Sequence, residues 1–146
     1  MPTYLEHANL TVPDIDQAIV FLRTVEPKFY VRHDALAILA DGRTRRWVHF
    51  GDERVYIALQ QAEPGSQPQM PKRSYENYGV NHLAWVVDDF VAVLARLDQQ
   101  GYRRGLLVPT ETFRKRAYYY DAAGFEWEII QYLSDKDEQR NVYEPA

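Results

Sequence analysis

Apolar and polar positions along this chain spell out one arrangement twice. From Leu5 to Val12 they alternate: Ala8, Leu10 and Val12 fall on one side, and Leu5, His7, Asn9 and Thr11 on the other. That period of two is the pattern of a strand with one face against a helix, and the polar second face predicts a cavity lining. Asp14 follows as a helix N-cap with Gln17 three residues on, a capping-box pattern. Ile15, Ala18, Ile19 and Leu22 then recur at helical spacing, and Pro27 stops the helix. Residues 29–34, 36–40 and 45–50 predict short strands, with Asp41-Gly42 as a turn, and 54–60 predicts the last strand of this half. The second half opens on Val80 to Val87, a short apolar run rich in β-branched and aromatic residues. Asp88 is the expected N-cap of a helix striped by Phe90, Val93, Leu94 and Leu97 and ended by Gly101. Strands are predicted near 106–109, at 112–120 and at 125–133, with Asp121 to Gly124 as the turn between the last two.

Each half therefore reads β-α-β-β-β. His7 and His82, Val12 and Val87, and Leu22 and Leu97 all share an offset of 75 residues. The ends of the halves match as well: Phe50 to Gln60 resembles Tyr120 to Gln131, and the offset of 70 between positions 58 and 128 sets Ala58 opposite Glu128. Between them, residues 61–78 carry three prolines, a Gly-Ser pair and few aliphatics, the composition of a surface linker. The expected organisation is one domain over 1–146: a module at 4–60, the linker at 61–78, a second module at 79–133, and a charged, loose tail at 134–146. The fold class is α+β, two βαβββ modules forming a curved sheet around a shared cleft.

Composition narrows the chemistry. With 146 residues of which 46% are hydrophobic, the chain can bury a core, while a mean hydropathy of −0.49 predicts solubility. No apolar run approaches the roughly 20 residues a membrane helix needs, so no membrane partner is expected. The first ten residues lack a basic and then hydrophobic leader, and a cytoplasmic location is the expectation. The absence of cysteine excludes disulfides, thiolate ligands and cysteine nucleophiles. A net charge of −4 argues against nucleic acid as a partner. Eleven tyrosines in a chain that is 14% aromatic suit either a well-filled core or a cavity for a small organic molecule.

Three residues stand out as candidate metal ligands. A single histidine on a strand is ordinarily structural, but His7 and His82 occupy matching repeat positions, each on a cavity-facing parity. Glu128 lies in the apolar, aromatic strand FEWEIIQYL, where an unpaired carboxylate is costly to bury. Its compensation is either a metal cation or an ion pair with Arg116 or another cavity arginine. Arg45, Arg46, Arg54, Arg114 and Arg116 could grip an anionic substrate group or be solvated strand ends.

His7 before LTVPDIDQAIVFL, His82 before LAWVVDD, and the ending YYYDAAGFEWEI together resemble the vicinal oxygen chelate superfamily over residues 4–133. That superfamily takes in glyoxalase I, fosfomycin-resistance thiol transferases, extradiol dioxygenases and bleomycin-binding proteins. The resemblance implies the paired βαβββ fold, a homodimer, and a divalent metal (Fe, Mn, Ni, Co or Zn) held by His7, His82 and Glu128. It departs from the pattern in three places. The final turn reads DAAG without the usual proline, and Asn9 stands where the thiol transferases carry threonine. Ala58 replaces the glutamate or glutamine that serves glyoxalase I-like proteins as ligand and proton shuttle. What is left is a two-histidine, one-carboxylate set, as in non-haem Fe(II) oxygenases and the manganese-dependent transferases. Tyr118, one hairpin before Glu128, matches the place where extradiol enzymes carry a tyrosine that hydrogen-bonds a substrate oxygenate; the other reading is a packed aromatic.

Two functions remain open at this point. One is an enzyme whose metal acts as Lewis acid on a small substrate with vicinal oxygens, as a dioxygenase or as a lyase or isomerase. Its cleft would include Asn9, Trp47, Tyr56, Ala58 and Arg116, with Tyr118 as the catalytic hydroxyl. The other is a protein that sequesters a drug or metabolite without turnover, in a cleft lined by Trp47, Tyr56, Trp85 and Tyr118.

Overall fold

A computed structural model describes residues 2–68 and 75–143 of the chain. It divides into two compact units, Met1–Gln69 and Met70–Ala146, each built on its own four-stranded sheet. Residues 69–74 of the expected linker and 144–146 of the expected tail lie outside the described residues.

In the first unit the elements are β1 (His7–Val12), α1 (Ile15–Val25), β2 (Tyr30–Ile38), β3 (Thr44–Gly51) and β4 (Tyr56–Gln61), in the sheet order β1-β4-β3-β2. β1 pairs parallel with β4, and the other pairs are antiparallel. Asp14 caps α1 by accepting the Gln17 N–H at 3.1 Å. The apolar stripe of α1 buries Ile15, Ala18, Ile19, Phe21, Leu22 and Val25 against the sheet face formed by Val12, Val48, Phe50, Ile57 and Leu59. Strand alternation then turns His7, Asn9 and Thr11 to the opposite face. The two pieces expected at 29–34 and 36–40 are a single strand, β2, with a register irregularity between Val31 and His33 that lets it continue past the bend.

The second unit has β5 (His82–Val86), α2 (Phe90–Gln99), β6 (Arg103–Arg104), β7 (Arg114–Tyr120), β8 (Glu126–Tyr132) and the short α3 (Asp137–Arg140). Its sheet order, β5-β8-β7-β6, repeats that of the first, again with the outer β5–β8 pair parallel. α2 packs Val93 and Leu97 on β8 and ends at Gly101, whose φ of 78° takes the left-handed turn that leaves Tyr102 N–H on the Leu97 carbonyl at 3.1 Å. Beneath it Trp85 stacks on Trp127 at 6.1 Å, and the Trp127 indole N–H donates to Asp121 Oδ2 at 2.9 Å. Among the described residues no helix is long and apolar enough to cross a membrane.

Three expectations are corrected here. The cap of α2 is Asp89, which accepts the Ala92 N–H at 3.0 Å; the neighbouring Asp88 offers only its backbone carbonyl, to Gln131 Nε2 at 2.6 Å. No strand forms at 106–109. The ladder stops at Arg104 and Gly105, where a side chain would meet Tyr118 Cβ at 2.8 Å, and the sequence then runs Leu106 and Leu107, both exposed, into Pro109. The tail is not wholly loose: α3 forms, with Arg140 over the Tyr132 ring at 4.2 Å and Tyr143 under Arg114 at 4.6 Å. The capping assignment yields a direct expectation. Asp89→Ala should lower unfolding stability by about 1 kcal/mol, whereas Asp88→Ala, which keeps the carbonyl that Gln131 uses, should cost less than about 0.5 kcal/mol. Urea denaturation of the two variants side by side checks it; equal losses would contradict the assignment.

Candidate metal and substrate site

Strand register places the candidate residues without further assumption. In the second unit His82 lies opposite Glu126, and Glu128 sits between Ala84 and Tyr118. Alternation along three adjacent strands therefore sets His82, Glu126, Glu128, Tyr118, Tyr120 and Arg116 on the face away from α2. His82 Nε2 approaches Glu128 Oε2 at 3.1 Å, and Arg116 Nη1 approaches Glu128 Oε1 at 3.3 Å. Arg116 Nη1 also donates to the Tyr118 hydroxyl at 3.3 Å, and the Tyr118 ring meets His82 edge-on at 5.3 Å. Burial, and then the charge of Glu128, pushes the Tyr118 phenol up, so it holds its proton at neutral pH.

Glu128 is therefore compensated in part by the arginine the sequence allowed for. Arg116 is itself held from behind. Glu111 accepts its Nε at 2.8 Å and its Nη2 at 3.2 Å, and also takes both Nε and Nη2 of Arg114. With those donors engaged, only the Nη1 end of Arg116 is turned toward Glu128 and Tyr118. The remaining candidate arginines are spent elsewhere: Arg45 on Glu63, Arg46 on Asp16 and Asp34, and Arg54 over Tyr4.

In the first unit the equivalent register puts His7 opposite Tyr56, and Ala58 between Asn9 and His49. The position that holds Glu128 in the second unit holds a buried methyl group here. His7 stacks on Tyr56 at 4.8 Å, and its Nδ1 lies 2.9 Å from Glu6 Oε2, which leaves Nε2 as its open nitrogen. The row continues through His49 on Tyr56 at 4.5 Å, Trp47 on His49 at 4.9 Å and His33 on Trp47 at 4.7 Å. Burial, and then the charge of Arg32, pushes the His49 imidazole down toward its neutral form. A cavity of about 360 Å³ in this unit lies at the far end of β1, lined by Pro13, Arg45, Gln61 and Glu63 among others, and includes none of the candidate ligands.

His82, Glu128, Tyr118 and Arg116 thus converge in one unit, and His7, Asn9, Trp47, Tyr56 and Ala58 share one face of the other. Within either unit, among the described residues, no three histidine or acidic side chains are grouped so as to hold a metal ion. Trp85 is excluded from the cleft lining: it alternates with His82 and lies on the α2 side, against Trp127. Four residues of the site were not singled out from the sequence. Glu126 was legible, since it shares the parity of Glu128 in the same apolar strand. His49 was legible too, since it shares the parity of Trp47 along the same strand. Glu111 and Tyr75 carry no local signal; Tyr75 comes from the proline-rich stretch read as linker, and its hydroxyl reaches His82 Nδ1 at 3.0 Å.

The fold has close counterparts. A glyoxalase family protein from Bacillus cereus superposes with a TM-score of 0.73 at 14% identity, over 92% of this chain and 97% of its own. A glyoxalase/bleomycin resistance protein/dioxygenase domain from Frankia sp. gives 0.68 at 16% identity, over 90% and 99%. The fosfomycin resistance protein FosX from Listeria monocytogenes, in a crystal structure with Mn(II) and sulfate, gives 0.64 at 15% identity, over 96% and 98%. No curated protein sequence matches the chain. Residues 6–120 match the family model of the glyoxalase/bleomycin resistance protein/dioxygenase superfamily. With two βαβββ units and a match across most of its length, this chain belongs to that superfamily.

Proposed function

We propose that the protein is a divalent-metal-dependent enzyme acting on a small substrate with adjacent oxygens, with His7, His82 and Glu128 as the metal ligands. The observation that carries this reading is the pairing of His82 Nε2 with Glu128 Oε2 at 3.1 Å. A carboxylate oxygen only accepts hydrogen bonds, so a bare imidazole nitrogen facing it needs a cation between them, either a proton or a metal ion. The spacing suits a metal: two donors about 2.1 Å from one ion lie about 3.0 Å apart at right angles and about 3.4 Å apart at the tetrahedral angle. Use of Mn(II) by the structurally similar FosX adds support.

When bound, a divalent ion supplies Lewis-acid polarisation to a chelating pair of substrate oxygens. The chain's own residues do the rest. The Tyr118 hydroxyl, kept protonated, donates to a substrate oxygenate. The fixed Nη1 end of Arg116 holds negative charge beside it. The ring row of Tyr56, His49 and Trp47 offers a flat apolar surface to the substrate body, and the neutral His49 can accept a proton. His7 completes the ligand set from the other unit, of the same chain or of a second copy in a homodimer. Light scattering should return about twice the 17.1 kDa chain mass, and a monomer at micromolar concentration would remove the second copy from the scheme.

One observation favours sequestration without turnover. Glu128 already meets both His82 and Arg116, so its charge does not demand a metal. Metal analysis of protein purified anaerobically without a chelating tag decides between them. About one divalent ion per chain supports the enzyme; protein that takes up none, even on reconstitution, supports sequestration.

A further inference from the structure

Glu126 accepts two phenol hydroxyls, Tyr75 on Oε1 at 2.7 Å and Tyr120 on Oε2 at 2.9 Å. The Glu126 carboxylate is almost fully buried and offers only acceptors. The Tyr75 hydroxyl proton is therefore committed to Glu126, and its oxygen is left to accept. Its other neighbour is His82 Nδ1 at 3.0 Å, while Glu126 Oε1 lies 3.5 Å from the same nitrogen. One assignment satisfies Tyr75 and Glu126 together: Nδ1–H of His82 donates to Tyr75, whose O–H donates to Glu126. A proton is then fixed on Nδ1, and Nε2 faces Glu128 across the place that a second proton or a metal ion takes.

Tyr75 is also held where this contact requires it. Its φ of 69° lies in the left-handed region that a tyrosine rarely adopts, and its N–H is bonded to Asn81 Oδ1 at 2.8 Å. The residue just before His82 thus anchors the backbone of the residue that clamps His82. The ring is largely exposed, and its hydroxyl bonds to Glu126 and His82.

We propose that Tyr75 is a positioning residue, which with Glu126 locks His82 in the Nδ1–H form and so presents Nε2 to the ligand set. The part of this that concerns metal affinity rests on the proposed function; the locked proton does not. Partners of this kind, which receive the second ring N–H of a ligating histidine, typically change metal affinity 10–100-fold when removed. A segment outside both modules' regular elements would then set the affinity of the centre.

The experiment uses the full chain labelled with ¹⁵N, free of metal, as wild type, Tyr75→Phe and Tyr120→Phe. Phenylalanine preserves the ring and the backbone demand at each position, and circular dichroism confirms that both variants fold. In wild type the His82 Nδ1–H should give a resolved, slowly exchanging signal. Tyr75→Phe should lose that protection, while Tyr120→Phe, which touches only the far oxygen of Glu126, should keep it. Titration with Mn(II) should then show Tyr75→Phe weaker than wild type by 10–100-fold. An unprotonated Nδ1 in wild type, or equal protection in wild type and Tyr75→Phe, overturns the lock; loss in both variants alike overturns the assignment to Tyr75. If the lock is present but wild type binds no Mn(II), the metal reading falls and the lock stands.

Discussion

Glu128→Ala is expected to abolish stoichiometric binding of a divalent ion and to leave a folded protein. Both halves of that result follow from what the carboxylate touches. Oε2 faces His82 Nε2 at 3.1 Å, so its removal takes the one carboxylate from the proposed set of three and leaves only the two imidazoles. A centre with two ligands and no negative charge loses most of its hold on an ion of charge +2. Oε1 faces Arg116, and breaking a buried pair ordinarily costs about 3–5 kcal/mol because the partner charge is stranded. Here Arg116 is not stranded, because Glu111 still takes its Nε and Nη2. The stability loss should fall below that range, and the unfolding transition should stay cooperative. Titration with Mn(II), together with thermal unfolding, reads both outcomes. Full occupancy in Glu128→Ala would remove Glu128 from the ligand set; an unfolded variant would move the question to Glu128→Gln, which keeps the shape and drops the charge.

The sequence made the pattern of both modules readable because each strand has one face against a helix. Where burial is one-sided, alternation fixes which residues share a face: parity set His7 beside Asn9, and the repeat offsets set His82 against His7 and Glu128 against Ala58. The same parity, applied to Trp85, would have removed it from the cleft. The failures have different causes. Asp88 and Asp89 are equivalent as caps on chemistry, and only the start of the helical turn decides between them. The apolar run Leu106-Leu107-Val108 looks like a strand, but nothing in the local sequence records that Pro109 and the close approach of Gly105 to Tyr118 end the ladder. Tyr75 and Glu111 act on residues 7 and 5 positions away, or on another strand altogether, through side-chain contacts that no period encodes. Composition marked the stretch around Tyr75 as a connector, and a connector can still contribute a hydroxyl.

Ala58→Glu is the substitution expected to change the chemistry most. Register places Ala58 beside Asn9 on one strand and His49 on the other, on the face that carries His7. It is the counterpart of Glu128 in the second unit, so a glutamate there would aim a second carboxylate as Glu128 aims the first. With three protein ligands, a six-coordinate ion keeps about three positions for substrate and water. A fourth protein ligand takes one of them and lowers the net positive charge, which weakens a chelating substrate's hold. It also supplies a base, and a well-placed general base is worth about 10²–10⁴-fold in rate. The wild-type protein should therefore bind catechol-like vicinal-oxygen compounds and turn over the glutathione hemithioacetal poorly. Ala58→Glu should reverse that preference, gaining isomerase activity by about two orders of magnitude or more while losing affinity for the catechol. The buried position exacts some stability, offset in part by His49 across the strand pair, so the assays belong well below the unfolding temperature. Efficient turnover of the hemithioacetal by wild type would mean that a base is already present. In that case His49, pushed toward its neutral form on the same face, is the residue to replace next; loss of the activity in His49→Gln would assign it the role of the missing carboxylate.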